Sequence, residues 1–238
     1  MRNIFSIYGS AASAASRSLI RNWLIIPASI VGFILFQLAL TIVAPLGFIG
    51  GLIAGLILVA LIGQIYSWLR FASHAARLKP RDLIEFDAEM FSTVLSAAFA
   101  LWIIQIPITA LNSNPESAMI GQAFSLLLFI VLNALPEIIY MRNASGLPAL
   151  SHTLTFVRDF WIEWFLPYLI VICPLFFALQ SGLAFLQLLA SGNPLVPVLQ
   201  IIQVPSVLLP TVPLLSIALG IVLAIWFMLF RAELFRRL

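Results

Sequence analysis

The sequence predicts an all-α fold, a polytopic bundle of six transmembrane helices, and three observations lead to this prediction. Of the 238 residues, 63% are hydrophobic and only 9% are charged, whereas a soluble domain is typically about 45–50% apolar and about 25% charged. Apolar windows recur six times along the chain, and its basic residues fall between them. Too little charge remains to cover a water-facing surface, which excludes a soluble enzyme and a nucleic-acid-binding protein.

Six windows reach the length of about 20 apolar residues that a helix needs to span the hydrocarbon core of a bilayer. Because lipid offers the backbone no hydrogen bonds, each window is expected to be helical. We expect the whole chain, residues 1–238, to form a single integral membrane domain. The windows are residues 23–44, 47–69, 90–111, 119–140, 161–189 and 208–230.

Charge determines the expected orientation. With six crossings, all twelve Lys and Arg residues fall on one side of the membrane. The positive-inside rule places that side, and both termini, in the cytoplasm, and we expect the protein in a bacterial inner membrane. Trp23, Trp68, Trp161, Trp164 and Trp226 each lie near an Arg on this side, a pattern typical of an interfacial aromatic belt.

The outer connections differ in length. Only Pro45 and Leu46 separate the first two windows, which predicts a helical hairpin. Residues 191–213 hold five of the fourteen prolines, and their apolar part, residues 195–209, is too short to span. This segment is predicted to be a re-entrant or interfacial element, either a gate over a central cavity or a proline-broken loop lying on the bilayer.

The inner connection between the second and third windows is the most polar part of the chain. We expect the second helix to continue to Arg77 and Pro80 to end it. A new helix from Asp82 would place Glu85 and Glu89 on one face. This segment is interpreted either as a docking surface for a cytoplasmic partner or as an interfacial lead-in to the third helix.

Small residues at four-residue spacing mark two helix faces. Gly47, Gly51 and Gly55 lie on the second helix, and Ser216 and Gly220 on the sixth. Such faces allow close approach between helices in lipid. They predict either packing within the chain or a homo-oligomer interface.

Polar side chains at membrane depth are few. Amides can bridge helices or line a cavity, and Glu137, near the inner end of the fourth window, is expected to pair with Arg142 or Arg158. The candidate interhelical or cavity-lining residues are Gln37, Gln105, Asn133 and Glu137.

The sequence contains no catalytic, cofactor-binding or metal-binding pattern. Cys173 has no second cysteine to pair with, and His74 and His152 lack the spacing of metal ligands. No GxSxG, HExxH or phosphate-binding loop is present. We expect a protein that is not an enzyme and needs no cofactor.

Short stretches resemble a bacterial group of six-helix membrane proteins related to the membrane domain of glycerophosphodiester phosphodiesterases. The matching places are Arg21, Asn22 and Trp23, the sequence PEIIY at 136–140, and GLPALS at 146–151 followed by FVR at 156–158. This resemblance implies no catalytic residues in the membrane part. The topology is also similar to permease subunits of ABC-2-type exporters.

Three functions follow as hypotheses. The first is a non-enzymatic membrane subunit with a transport or membrane-homeostasis role that accommodates lipid-like molecules. The second is an ABC-type exporter permease that works with a cytoplasmic ATPase. The third is a structural or assembly subunit of a larger membrane complex. Expected partners are membrane lipids, further copies of the chain or other membrane subunits, and the ATPase, but not nucleic acid.

Overall fold

The computed structural model describes residues 4–74, 77–209 and 211–238, and every regular element in this part of the chain is a helix. The all-α fold class is thereby confirmed. The α-helices are α1 (Ile4–Arg21), α2 (Ile25–Val43), α3 (Gly47–Ser73), α4 (Pro80–Ile84), α5 (Ala88–Ser113), α6 (Ala118–Val131), α7 (Leu135–Arg142), α8 (Gly146–Ala178), α9 (Gly182–Ala190), α10 (Leu199–Ile202), α11 (Val204–Leu208) and α12 (Pro213–Arg237).

Five helical segments among the described residues are long and apolar enough to cross a membrane. The first is 49 residues long and contains both α2 and α3. This is the pattern of a membrane-embedded helical bundle. The segments are Ile25–Ser73, Pro80–Ser113, Ala118–Arg142, Gly146–Ala178 and Leu215–Arg237.

Helices α2 and α3 form an antiparallel hairpin. A 3-10 turn, Ala44–Leu46, joins them, and Gly47 follows with φ +58°, a conformation that glycine adopts without steric cost. Farther from the turn, a Cβ added at Gly32 would lie 2.7 Å from the Leu61 Cδ1 atom. The two helices therefore run side by side, and the tight turn lies where the sequence places it.

The connection between α3 and α5 differs from the prediction. Helix α3 ends at Ser73 and does not continue to Arg77. Helix α4 is five residues long, and the backbone becomes extended at Glu85, with φ −69° and ψ 119°. The expected helix that presents Glu85 and Glu89 on one face is therefore wrong.

Asp87 supplies the physical reason for this break. Its carboxylate accepts hydrogen bonds from the Met90 N–H at 2.9 Å, the Ser67 hydroxyl at 2.7 Å and the Arg70 guanidinium at 3.0 Å. A carboxylate that binds the free N–H groups of a first turn stabilises a helix start. Helix α5 consequently begins anew at Ala88.

The later helices are interrupted within or near the predicted windows. The chain bends at residues 132–134, between α6 and α7, and Pro136 in the first turn of α7 has no N–H to continue the helical ladder. Helix α8 is bent at Phe160 and ends at Ala178. The window at 161–189 is therefore divided between the second half of α8 and α9.

Residues 182–208 fold back into the bundle, and we call them the inserted hairpin. Helix α9 packs along α6, while α10 and α11 pack against α8 and α12. Near the start of α9 the Phe185 ring lies 5.3 Å from that of Phe176, close to the end of α8. The Tyr168 hydroxyl, deeper in α8, contacts the Pro197 carbonyl at 3.0 Å. This segment of the chain therefore returns antiparallel to α8.

The turn of the inserted hairpin reaches about half the depth of the bundle. A Cβ added at Gly192 would lie 2.8 Å from the Phe129 ring. Phe129 is eleven residues along α6 from Ala118, which is about 16 Å of helix axis, and a hydrocarbon core is about 30 Å thick. Residues 195–209 follow this turn, with Ile201 fully buried.

Helix α1 packs along the last turns of α12. The Trp226 indole N–H donates to the Ser16 hydroxyl at 3.0 Å, and the Ser18 hydroxyl donates to the Ala72 carbonyl at 2.9 Å. These bonds join α1 to the second half of α12 and to the end of α3.

The tryptophans only partly match the expected interfacial belt. Trp23 and Trp161 are exposed and Trp226 is half-buried, whereas Trp68 and Trp164 are buried in the core. The belt prediction is therefore wrong for Trp68 and Trp164, because each packs against neighbouring helices.

Candidate functional site

A cavity of about 290 Å³ lies between α5, α6 and the turn of the inserted hairpin, and we call it the outer cavity. Its wall follows α5 from Gln105 to Asn112, close to the α5–α6 turn, which is about 10 Å of helix. Amide and hydroxyl side chains supply donors and acceptors without formal charge. The polar lining residues are Gln105, Thr109, Asn112, Ser125, Ser191 and Asn193.

The turn of the inserted hairpin is built by residues that stop a helix. The Asn193 side chain accepts a hydrogen bond from the Leu195 N–H at 2.9 Å, and Pro197 has no N–H to donate. A Cβ added at Gly192 would lie 2.5 Å from the Gln200 Nε2 atom. Gly192 therefore permits the two arms of the hairpin to approach each other.

Two tyrosine hydroxyls donate hydrogen bonds to backbone carbonyls of this turn. Tyr66 of α3 donates a hydrogen bond to the Leu195 carbonyl. Tyr168 of α8 donates to the Pro197 carbonyl at 3.0 Å, and its hydroxyl also lies 3.2 Å from the Gln200 Oε1 atom. Backbone carbonyls in a non-helical segment thus find partners inside the protein, as a low-dielectric surrounding requires.

A charged cluster is buried beneath the turn. Glu137 of α7 and Arg231 of α12 form an ion pair at 2.9 Å, and their side chains are 1% and 2% exposed. Arg231 also donates to the Asn133 carbonyl, and its guanidinium carbon lies 4.5 Å from the centroid of the Trp164 ring. The Trp164 N–H donates to the Asn133 Oδ1 atom at 3.2 Å, and the Tyr140 hydroxyl donates to the Glu137 Oε1 atom at 3.4 Å.

The cluster and the hairpin turn are adjacent layers. The Tyr66 ring, whose hydroxyl holds the turn, lies 5.4 Å from the Tyr140 ring of the cluster. Trp164 and Tyr168 are one helical turn apart on α8 and therefore share a face. The turn of the inserted hairpin thus separates the outer cavity from the Glu137–Arg231 pair.

The predicted partners of Glu137 are wrong. The Arg142 guanidinium lies over an aromatic ring of α12, 5.0 Å from its centroid, and Arg158 pairs with Asp159 at 2.9 Å. Arg231 takes this role instead.

The sequence does not single out Arg231, because this residue follows the sixth apolar window and counts only among the basic residues expected on one side of the membrane. Helix α12 in fact continues to Arg237. Ala224, Phe227 and Met228, which precede Arg231 at helical spacing, are all buried. This face extends to Arg231. The signals available from sequence are the apolar residues at this spacing and the need of an acid near membrane depth for a counter-charge.

The predicted polar residues do not form one site. Gln105 lines the outer cavity, whereas Asn133 and Glu137 lie in the buried cluster. Gln37 is exposed on α2 and lies outside both, and its interhelical role stays a prediction. The structure thus places the remaining three in two layers.

The two small-residue faces also differ. Added Cβ atoms would meet nothing within 4 Å, among the described atoms, at Gly47, Gly51 and Gly55. In contrast, Ser216 is buried, and a Cβ at Gly220 would lie 2.2 Å from the Ile202 carbonyl oxygen. The α12 face packs within the chain, and the α3 face is open.

The acidic residues proposed for docking lie on separate elements. Glu85 is exposed in the break after α4, with Arg81 at 3.8 Å. Glu89 lies in the first turn of α5 and accepts a hydrogen bond from the Asn143 side chain. The two therefore do not present one continuous helical face.

Comparison of the chain with protein-family models, curated proteins and solved structures finds no match. In residues 4–74, 77–209 and 211–238, no group of three or more His, Cys, Asp and Glu side chains is placed to hold a metal ion. The function is therefore argued from the outer cavity, the inserted hairpin and the buried cluster.

Proposed function

We propose that the chain is a non-enzymatic transport protein of a bacterial inner membrane, with six crossings and both ends in the cytoplasm. In this proposal the outer cavity receives the polar group of a small solute or lipid-like molecule. The observation that carries it is a polar cavity that runs from a turn between two helices to a hairpin turn at half depth.

Six crossings are supported by the turn between α2 and α3. A straight helix of 49 residues would be about 74 Å long, more than twice the roughly 30 Å of a hydrocarbon core. The turn at Ala44–Leu46 divides this segment into two helices of 19 and 27 residues. With the four other apolar segments, these two make six crossings.

Both ends in the cytoplasm are supported by contacts among the basic helix ends. Arg237 donates to the Ser10 hydroxyl at 2.8 Å, and Arg236 donates to the Ser73 carbonyl at 3.3 Å. Helix α1 and the ends of α3 and α12 therefore meet at one end of the bundle. That end carries the bases, which the positive-inside rule assigns to the cytoplasm.

A transport role is supported by the inserted hairpin, which we propose is re-entrant in the membrane. Non-helical backbone at membrane depth is tolerated only where protein buries it or where it lines a polar cavity. Broken helices of this kind form substrate sites at the midplane of transporters. Here the Leu195 and Pro197 carbonyls are bonded by tyrosines, while residues 190–194 line the outer cavity.

A lipid-like ligand is supported by the surface of α6. Its outer half carries a shallow apolar groove of about 320 Å³, lined by Met119, Ile120, Ala123, Phe124 and Leu127. A polar cavity and an apolar groove on one helix fit a molecule with a polar group and a hydrocarbon part. Membrane lipids are therefore the leading partner class.

Thiol accessibility tests the re-entrant cavity. In a Cys173→Ala background, Ser191→Cys should react with a membrane-impermeant maleimide added outside intact cells, because Ser191 lines the cavity. Gln37→Cys, exposed on α2, is the matched control and should stay unlabelled in lipid. Labelling of Ser191→Cys only from the cytoplasmic side would contradict the topology.

Reconstitution tests transport. The full chain in phosphatidylethanolamine–phosphatidylglycerol vesicles should accelerate either glycerol entry, measured by light scattering, or transfer of fluorescent phosphatidylglycerol between leaflets. Gln105→Leu should slow that rate about 5-fold, the effect of one hydrogen bond worth about 1 kcal/mol, and Gln37→Leu should not. Rates equal to protein-free vesicles with both probes would refute the proposal.

A permease subunit served by a cytoplasmic ATPase is the second candidate. Ile84 and Phe86 are 86% and 56% exposed beside Glu85 at the inner end of the bundle. An apolar protrusion beside an acid fits a docking contact. An ATPase identified by mass spectrometry should co-purify with the chain and be lost with Ile84→Glu but not Ile84→Leu. Purification of both variants without any ATPase would exclude this candidate.

A further inference from the structure

The buried cluster contains hydrogen-bond donors that no described protein atom accepts. These are the Arg231 Nε and Nη1 atoms and the Asn133 Nδ2 atom. Both residues are nearly or fully buried, at 2% and 0% exposed. An Nε atom carries one hydrogen, and Nη1 and Nδ2 carry two each, so five N–H bonds point into the cluster unpaired.

The acceptors of the same cluster are already engaged. The Asn133 Oδ1 atom accepts from Trp164, and the Asn133 carbonyl accepts from Arg231. The Glu137 Oε2 atom accepts from Arg231, and its Oε1 atom lies 3.4 Å from the Tyr140 hydroxyl, whose one hydrogen it shares with the Met228 carbonyl at 3.3 Å. Because buried polar groups in folded proteins are almost always paired, the complement of this cluster is a group rich in acceptors.

The excess of unpaired donors over free acceptors in the buried cluster favours some acceptor groups over others. A water molecule accepts two hydrogen bonds but brings two hydrogens, for which the cluster has few free acceptors. A carboxylate or phosphate oxygen accepts several bonds and brings no hydrogen. The planar guanidinium of Arg231 also matches the geometry of an oxyanion.

We propose that Arg231 and Asn133 bind an oxyanion group, a carboxylate or a phosphate, of the transported molecule. The inference rests on the proposed function for the route by which this molecule arrives. Glu137 is faced by Arg231 from α12, Tyr140 from α7 and Tyr66 from α3. Uptake of one proton by Glu137 as the anion binds keeps the charge of the cluster constant.

Access to these donors requires movement of the inserted hairpin. Tyr66 and Tyr168 hold the carbonyls of Leu195 and Pro197 between the outer cavity and the cluster. Displacement of this turn joins the two layers. The outer cavity then serves as the first station for the polar group, and Arg231 with Asn133 as the second.

Thermal unfolding of the full chain in neutral detergent tests the oxyanion site. Replacing sodium chloride by sodium acetate or phosphate at constant ionic strength should raise the Tm by about 5 °C at roughly 100 times the Kd. A second arm compares phosphatidylglycerol with phosphatidylcholine in nanodiscs. A rise with phosphatidylglycerol alone assigns the oxyanion to a lipid headgroup, and no rise in either arm overturns the proposal.

Two variants of the cluster should respond in opposite directions. Asn133→Asp keeps the acceptor for Trp164 and adds an oxyanion of its own, so it should abolish the anion-dependent rise in Tm. Glu137→Gln removes the competing charge and should lower the Kd for acetate about 10-fold. An anion response in Asn133→Asp equal to that of the wild type would overturn the site.

Gln105→Leu separates this proposal from the transport proposal, because Gln105 lines only the outer cavity. The variant should keep the full rise in Tm with acetate. If that rise persists while reconstituted vesicles transport neither probe, the oxyanion site stands and the transport function fails. Loss of the rise in Gln105→Leu would place anion binding in the outer cavity and overturn the assignment to Arg231.

Discussion

The α2–α3 hairpin and the inserted hairpin are both antiparallel and mostly apolar, yet they stand in different surroundings. In α2 only Ile25 is buried, the third of α3 next to the turn is buried only at Gly50, and the two helices have no break besides one tight turn. The inserted hairpin is broken into three short helices, and Leu195, Val198, Ile201 and Val204 are buried between α8 and α12. Hydropathy is similar for a segment surrounded by lipid and for one surrounded by protein, so polar contacts distinguish the two.

The largest effect is expected at the buried pair beneath the inserted hairpin. Arg231→Met leaves Glu137 buried without its partner and should lower the free energy of unfolding by about 3–5 kcal/mol. The double variant with Glu137→Met should recover most of that loss. Arg158→Met is the control, because its pair with Asp159 is exposed. Unfolding in mixed micelles measures all three, and equal losses at Arg231 and Arg158 would count against the comparison.

The next largest effects are expected from glycine-to-alanine changes, which should have opposite signs in the two regions. Gly220→Ala in α12 forces a Cβ to within 2.2 Å of the Ile202 carbonyl and should cost about 1–3 kcal/mol. Gly51→Ala in α3 meets open space and should stabilise the helix by about 0.5–1 kcal/mol. The Tm of each variant relative to the wild type measures both effects. A loss at Gly51 would instead indicate that another copy of the chain covers this face.

The tyrosine contacts to the hairpin turn should have a smaller effect. Tyr66→Phe removes the hydrogen bond to Leu195 and should cost about 0.5–1.5 kcal/mol, with faster maleimide labelling of Ser191→Cys. Tyr8→Phe removes a bond to the Glu163 carbonyl, at 2.9 Å, away from the hairpin. Tyr8→Phe should lower the free energy of unfolding by about as much as Tyr66→Phe, but it should not change the labelling rate of Ser191→Cys. Equal labelling in the two variants would show that Tyr66 does not hold the turn.

The smallest effect is expected on α2. Gln37→Leu replaces an exposed amide by an apolar side chain and should change the free energy of unfolding by less than about 0.5 kcal/mol. A larger loss, measured in the same mixed micelles, would mean that Gln37 contacts a partner outside this chain.

The sequence predicts the helical class and the tight α2–α3 turn because both depend on local signals. Hydropathy reports which residues leave water, and Pro45 with Gly47 marks the reversal. The breaks at Glu85 and at residues 179–181 were missed, because the Asp87 side chain and a serine cap, Ser181, fix them through contacts that composition does not reveal.

The site was predictable only in part, for a related reason. Gln105, Asn133 and Glu137 stand out as polar residues within apolar windows, and all three lie in the two layers of the site. Arg231 and Tyr66 lie on helices that are distant in sequence from their partners, Glu137 and Leu195, so these contacts depend on tertiary packing. Gln37 carries the same sequence signal as Gln105, and only the neighbouring helices distinguish them.

The separation of Glu137 and Arg231 along the chain determines when their ion pair can form during synthesis. The two are 94 residues apart, so at about 5–20 residues per second the ribosome supplies the arginine roughly 5–20 s after the glutamate. During that interval α7 contains an acid whose counter-charge has not yet been synthesised, and the inserted hairpin has no α12 to pack against. The buried cluster and the inserted hairpin can therefore assemble only after α12 has been synthesised, whereas the α2–α3 hairpin is complete long before.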